Sequence, residues 1–261
     1  MRTEEPRAIH LADYRAPEFR VTTVHLDFAL DPEATRVTTR LEIERLSGSG
    51  PLILQGENQK LLSLALDGRT LNADEYRLDE KGLTLGNPPA KLTLEIASEI
   101  NPAANTELEG LFLSNGMFCT QCEPEGFRRI TYFLDRPDNL SVFTVRIEAD
   151  KEQYPVLLSN GNRIQSGELA PVKNGNARHF AVWHDPFPKP SYLFALVAGD
   201  LGGVHDSFTT MTGRRIALDI YVEHGNEPRA RYAMDALKRA MKWDEQAYGR
   251  EYDLDIFMIV A

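Results

Sequence analysis

The 261-residue sequence contains only two cysteines, Cys119 and Cys122. A secreted disulfide scaffold needs several, so that class is excluded. The first nineteen residues, MRTEEPRAIHLADYRAPEF, are charged and lack the apolar run of a secretory signal. No stretch approaches the roughly 18 uninterrupted apolar residues of a membrane-spanning helix. These absences lead to the expectation of a cytoplasmic protein, in which Asn139-Leu140-Ser141 matches a glycosylation acceptor by chance. Positive charge is also in short supply. The net charge of −10 works against non-specific attraction to nucleic acid or anionic lipid. Missing too are H-E-x-x-H, G-x-S-x-G, a phosphate loop and a dinucleotide fingerprint. The six histidines are scattered, and none has a partner four residues away on a helix. A zinc site takes three or four ligands, and nothing local supplies them. His184-Asp185 and His205-Asp206 read as turn or strand-end pairs without a catalytic context.

What is present suits an ordinary folded protein. At 42% hydrophobic and 26% charged residues, the length supports one large domain, or one domain and part of a second. Much of the first two thirds alternates with period two, the mark of half-buried strands. Val24, Leu26, Phe28 and Leu30 share a face, and so do Val37, Leu41 and Ile43. Leu62, Leu64 and Leu66, then Leu92, Leu94 and Ile96, and finally Phe143, Val145 and Ile147 repeat the pattern. Turn signals separate the runs at Asp31-Pro32, Gly48-Ser49-Gly50, Asp67-Gly68, Lys81-Gly82, Asn160-Gly161 and Asn174-Gly175. Short strands with this punctuation imply antiparallel sheets, packed as a sandwich or a curved open layer.

The character changes after about residue 195. Ile216, Leu218, Ile220 and Val222 form one face of a strand that follows a turn at Thr212-Gly213. A helix is predicted from roughly Pro228 to Tyr248, capped by Asn226 or Glu227 and ended by Gly249. Its stripe of Ala230, Ala233, Met234, Leu237, Ala240 and Met241 has helical spacing and belongs to a core. Leu254 to Val260 reads as a buried strand. Because that strand runs to Ala261, the chain is expected to be a truncated piece of a longer protein.

One segment stands apart: Gly116 to Ile130, with the core Cys119-Thr120-Gln121-Cys122-Glu123-Pro124-Glu125-Gly126-Phe127-Arg128-Arg129. It gathers two thiols, a carboxamide, two carboxylates and two arginines between glycine and proline, on what reads as a loop set upon a sheet. A redox C-x-x-C would normally open a helix, which Glu-Pro-Glu-Gly does not. Half of a four-thiol zinc site lacks its other half. An anionic ligand pocket remains, with Gln121 and Glu123 facing one way because they lie two apart on extended backbone. A solvated loop over small buried thiols is the structural alternative.

The same segment resembles the corresponding loop of bacterial aminopeptidase N, the gluzincin zinc metallopeptidase family. The likeness continues through Ile130-Thr131-Tyr132-Phe133-Leu134-Asp135-Arg136-Pro137-Asp138, Leu158-Ser159-Asn160-Gly161-Asn162 and Asp185-Pro186-Phe187-Pro188-Lys189-Pro190. It extends to Tyr192 through Asp200, Met241 through Glu245 and Glu251 through Ile256, and so spans essentially the whole chain. The Leu-Asp-Arg-Pro-Asp form points to the bacterial alanyl aminopeptidase branch.

The resemblance implies a mainly β fold. A saddle-like antiparallel β-domain, residues 1–195, would precede the opening strands and first helix of an α+β thermolysin-like catalytic domain, residues 196–261. It implies a parent enzyme that uses Zn2+ to remove single N-terminal residues from peptides with a free N-terminus. The family's G-A-M-E-N and H-E-x-x-H motifs are not in this sequence, so the chain itself is expected to bind no metal and to be inactive alone. Its partners would be peptides and the remainder of its own catalytic domain. Gln121 and Glu123 would anchor the substrate α-amine. Glu125, Arg128 and Arg129 would hold the loop or form surface ion pairs. Asp135, Arg136 and Asp138 would form a structural ion-pair cluster at Pro137, and Cys119 and Cys122 would pack as reduced thiols. Two rivals stand beside this expectation: a non-catalytic β-rich binding or scaffold module, and a thiol-redox module.

Overall fold

In the computed structural model, which describes residues 10–170 and 176–261, the period-two runs become strands of one large twisted sheet. Its eight strands run across the sheet in the order Asn162–Glu168, Arg178–Pro190, Leu140–Asp150, Phe19–Ala29, Thr35–Arg45, Lys91–Ile100, Lys60–Leu66 and Arg69–Thr70. The expected faces are buried: Val24, Leu26, Phe28 and Leu30 join Val37, Leu41, Leu94, Ile96, Phe143, Val145 and Ile147 in a single core. Neighbouring strands are antiparallel except at the centre. There Phe19–Ala29 lies parallel to Leu140–Asp150, with Val24 opposite Phe143 and Leu26 opposite Val145. Alternation alone cannot tell the two pairings apart, since each side chain faces the same way in both.

One strand departs from the expected face. Leu62 is 36% exposed, because the pairing of Lys60–Leu66 with Lys91–Ile100 shifts register between Leu61 and Ser63. The bulge places Leu61, rather than Leu62, against the core. Asp67-Gly68 makes the expected hairpin, with φ of 50° and 79° and Leu66 opposite Arg69. Asn160-Gly161 does not. It passes the chain from Val156–Ser159, in a four-stranded sheet, to Asn162–Glu168 in the large one. The Asn160 side chain there pins a neighbouring turn, donating to the Leu193 carbonyl and accepting from Ala195 N–H. Asn174-Gly175 lies outside the described residues.

The four-stranded sheet runs Val156–Ser159, Leu196–Gly199, Met117–Gln121, Gly110–Ser114, and it packs into the same core as the large one. A three-stranded sheet, Leu52–Gln55, Gly82–Leu85 and Arg77–Asp79, also contributes to that core. A second hydrophobic cluster unites Ile216, Leu218, Ile220 and Val222 with Ala230, Met234 and Met241. These come from the sheet Gly202–Thr209, Arg215–Val222, Ile256–Val260 and from the helix Glu227–Tyr248. Asn226 occupies the helix N-cap position without a side-chain bond, and Gly249, at φ 61°, ends the helix as expected. Ala240 is exposed rather than part of the stripe.

The strand Ile256–Val260 is only half-buried. It pairs in parallel with Arg215–Val222 and lies at the edge of its sheet. Ile256 and Met258 pack on the first core, while Phe257 and Ile259 pack on the second. A continuous apolar run therefore reflects two apolar neighbours, one on each face, rather than full enclosure. Polar contacts also join the two clusters: Asn162 and Asp255 exchange two hydrogen bonds, and Asn115 donates to Glu223 at 3.1 Å.

Candidate functional site

The candidate loop is launched from a hairpin. Gly110–Ser114 pairs with Met117–Gln121, Ser114 opposite Met117 and Gly110 opposite Gln121. Between them Asn115 and Gly116 have φ of 49° and 80°, as a two-residue turn of this hand requires. This Asn-Gly pair is a turn signal legible in the sequence. Phe118 is buried against Tyr154, with ring centroids 4.9 Å apart. Thr120 Oγ accepts the Leu196 N–H at 2.8 Å. The strand that delivers Gln121 is thus fixed on both edges.

The chain leaves extended geometry at Cys122, where Gly126 N–H donates to the Cys122 carbonyl at 3.0 Å. Glu125 carries the left-handed kink, with φ 71°. Glu123 and Pro124 occupy the exposed crest. The return is anchored by Phe127, which is fully buried. Its ring meets Phe133, Phe143 and Phe194 at centroid distances of 4.9, 5.9 and 5.2 Å.

Arg128 and Arg129 hold the loop from beneath, as expected. Arg128 Nε donates to Asp135 Oδ2 at 2.9 Å, and its backbone N–H reaches the same oxygen at 3.2 Å. Arg129 pairs with Glu57 at 3.3 Å and Glu109 at 3.4 Å. The expected cluster at Pro137 is smaller than read: Arg136 pairs with Asp138 alone, joined by the Tyr14 hydroxyl. Asp135 turns inward instead. It is 5% exposed, and a carboxylate so buried needs both oxygens satisfied, which Arg128 on one and Ser191 on the other provide.

Gln121 and Glu123 are brought together on the exposed side. Gln121 Nε2 donates to the backbone carbonyl of Glu123 at 3.0 Å. With its amide nitrogen so engaged, Gln121 presents its Oε1 as an acceptor. Among the described residues, the ion pairs of this loop join Arg128 and Arg129 to Glu57, Glu109, Glu125 and Asp135. None of them engages Glu123. That carboxylate borders a cleft of about 470 Å3 whose other walls include Pro124, Pro137, Ser191 and Tyr192. Gln121 lies outside its lining.

The thiols do not form a reactive pair. Both are free, Cys122 buried and Cys119 half-buried. Burial pushes both thiols up from the usual range, and for Cys122 the negative charge of Asp135 adds to the effect. Only the thiolate is nucleophilic, so raising a thiol lowers its reactivity at neutral pH. Alkylation of Cys122 by iodoacetamide at pH 8 is expected to be at least about tenfold slower in the folded chain than in urea. Peptide mapping showing equal rates would contradict this placement.

Among the described residues, no group of three or more His, Cys, Asp or Glu is placed to hold a metal ion. His184 contacts Thr144, and His205 contacts Asp219, so neither bonds the aspartate beside it in sequence. Asp206 pairs with Lys238 instead. The described residues do not fit a zinc site.

Comparison with known proteins gives this loop its setting. Residues 38–193 match the Peptidase M1 N-terminal domain. The chain belongs to the M1 peptidase family. Over 100% of its length this M1 chain is 56% identical to the aminopeptidase N of Caulobacter vibrioides, and over 99% it is 52% identical to that of Escherichia coli. It spans 30% and 29% of the length of these curated relatives. A crystal structure of Legionella pneumophila aminopeptidase A in complex with aspartic acid superposes with a TM-score of 0.88 at 36% identity. That match covers 96% of the M1 chain and 29% of the Legionella protein. An M1 zinc metallopeptidase from Deinococcus radiodurans shares the fold, at TM-score 0.75 and 14% identity.

Proposed function

We propose that the M1 chain is the amine-gripping β-wall of a zinc-dependent aminopeptidase that removes single N-terminal residues from peptides. The single observation that carries this is the Gln121–Glu123 arrangement. One side-chain bond ties the two residues together, leaving a carbonyl oxygen and an unpaired carboxylate on the same exposed loop. A protonated amine leaving water needs opposed charge and hydrogen-bond acceptors, or its burial costs several kcal/mol. Glu123 supplies the charge and Gln121 Oε1 the acceptor. Fixing the ammonium fixes the distance to the first peptide carbonyl, so cleavage is confined to one residue from the end. The free α-amine of the aspartic acid in the Legionella complex is the kind of group such a wall would meet.

Residues 1 to about 195 form the β-domain in this proposal, and residues from about 196 to 261 begin the catalytic domain. The strand Leu196–Gly199 is the link, its side chains still in the first core. The zinc ligands are assigned to residues outside this chain, which alone would bind and orient but not hydrolyse. The free thiols of half-buried Cys119 and buried Cys122 suit a reducing compartment, and we place the enzyme in the cytoplasm on that basis.

The test is Glu123→Gln in the aminopeptidase that contains this chain. The amide keeps the shape and removes the charge, so kcat/KM for an aminoacyl reporter is expected to fall at least about tenfold, or ~1.4 kcal/mol. Unchanged kinetics would dismiss the assignment.

A further inference from the structure

We propose that Asp135 is a positioning residue for the amine grip, setting where the Glu123 crest stands above the cleft. The inference rests on the amine-anchoring role of Glu123. Asp135 lies seven residues after Arg128 in sequence but directly beneath the loop in space. Its Oδ2 receives both the Arg128 backbone N–H and Nε, at 3.2 and 2.9 Å. Its own carbonyl accepts from the Arg128 guanidinium at 3.1 Å. Its Oδ1 receives the Ser191 hydroxyl at 2.6 Å, at the start of the turn that carries Tyr192. Its backbone N–H donates to Gln55 Oε1 at 3.0 Å, and so holds the strand Leu52–Gln55. The buried carboxylate therefore ties the loop, through Arg128, to the turn at Ser191, while the Asp135 backbone N–H holds the strand end at Gln55.

Two of those segments contribute to the lining of the cleft, Glu123 and Pro124 from the loop and Ser191 and Tyr192 from the turn, with Asp135 itself among the lining residues. Bonds from one carboxylate to Arg128 of the loop and to Ser191 hold these two parts of the lining together. Among the described residues, the loop's other ion pairs join Arg128 to Glu57 and Glu125 and Arg129 to Glu57 and Glu109, and none of them involves the turn at Ser191. Asp135 is buried, with both carboxylate oxygens occupied by Arg128 and Ser191, so its effect on binding passes through the placement of Glu123. A carboxylate that served stability alone would weaken all ligands together. One that positions the grip weakens only those with an ammonium group.

The experiment compares two competitive inhibitors of the enzyme containing this chain, L-phenylalaninamide and its des-amino analogue 3-phenylpropionamide. In Asp135→Asn the inhibition constant of the amine probe is expected to rise at least about tenfold, while that of the des-amino probe stays within about twofold. Amide hydrogen exchange over residues 122–129 should accelerate in the same variant. Asp135→Asn placed on Glu123→Gln should add little further loss of the amine probe, since the group being positioned is already gone. Equal weakening of both probes, or unaltered exchange in the loop, would overturn the proposal. If Asp135→Asn does not fold, Ser191→Ala carries the test, with an amine-selective loss of about two- to fivefold expected and a non-selective one contradicting it. The functional reading fails separately: Glu123→Gln without effect on the amine probe refutes the anchor, whatever the exchange data show.

Discussion

Phe127→Ala is expected to lower the unfolding free energy of the chain by about 3–5 kcal/mol, the cost of deleting a fully buried aromatic side chain. Phe127 has no solvent exposure and sits amid three other phenylalanines, edge-on to Phe133, Phe143 and Phe194. Those neighbours come from the segment after the loop, from the strand Leu140–Asp150 and from the turn before Leu196–Gly199. Collapse around the lost ring would need all three to move, so the cavity would persist rather than close. Tilted and edge-on aromatic pairs add about 0.5–1.5 kcal/mol each beyond area burial, which places the loss toward the upper end. Urea unfolding followed by fluorescence checks this. A loss below about 1 kcal/mol would mean that the ring is not the anchor of the loop's return.

The second large effect is expected of Gly126→Ala, and its cause is purely steric. A Cβ at this position would lie 2.5 Å from the Gln121 carbonyl oxygen, 2.9 Å from Cys122 Cα and 3.1 Å from the Gly110 nitrogen. All three are backbone atoms, so no flexible side chain can swing away. The φ of −84° suits any residue, so conformational strain contributes nothing. Relief must come from moving the Cys122–Gly126 turn off the strand end. The expected costs are about 1–3 kcal/mol of stability and a fall in kcat/KM of the proposed aminopeptidase at least as large as that of Glu123→Gln. The second follows because Gln121 immediately precedes the displaced turn and Glu123 lies within it. A variant with wild-type kinetics would show that the crest need not be held where the structure places it.

Much of this was legible in the sequence where burial repeats with a fixed period. Val24, Leu26, Phe28 and Leu30 could be assigned to a core face because only one side of the sheet is packed. The helix stripe through Ala230, Met234 and Met241 was legible for the same reason. Leu62 was not, because a one-residue bulge reverses the face without leaving a mark in composition. Nor was the parallel pairing of Phe19–Ala29 with Leu140–Asp150, which joins segments more than 100 residues apart and obeys the same alternation. At the candidate site, Gln121 and Glu123 were singled out through their spacing and the family likeness. The bond between them depends on the turn at Cys122, which departs from the extended backbone that the spacing assumed. Asp135 escaped because its neighbour Arg136 is the obvious local partner, whereas the folded chain gives Arg136 to Asp138 and Asp135 to Arg128. Tertiary proximity, not sequence distance, chose the pairs.

The proposed grip is an unpaired carboxylate at Glu123 meeting a substrate ammonium. Its most direct test is the affinity of the proposed aminopeptidase for L-phenylalaninamide and for 3-phenylpropionamide, measured in the wild type and in Glu123→Gln. The amine ligand is predicted to weaken at least about tenfold in the variant, with the des-amino ligand unmoved. Equal shifts for the two, or none for either, would contradict the grip.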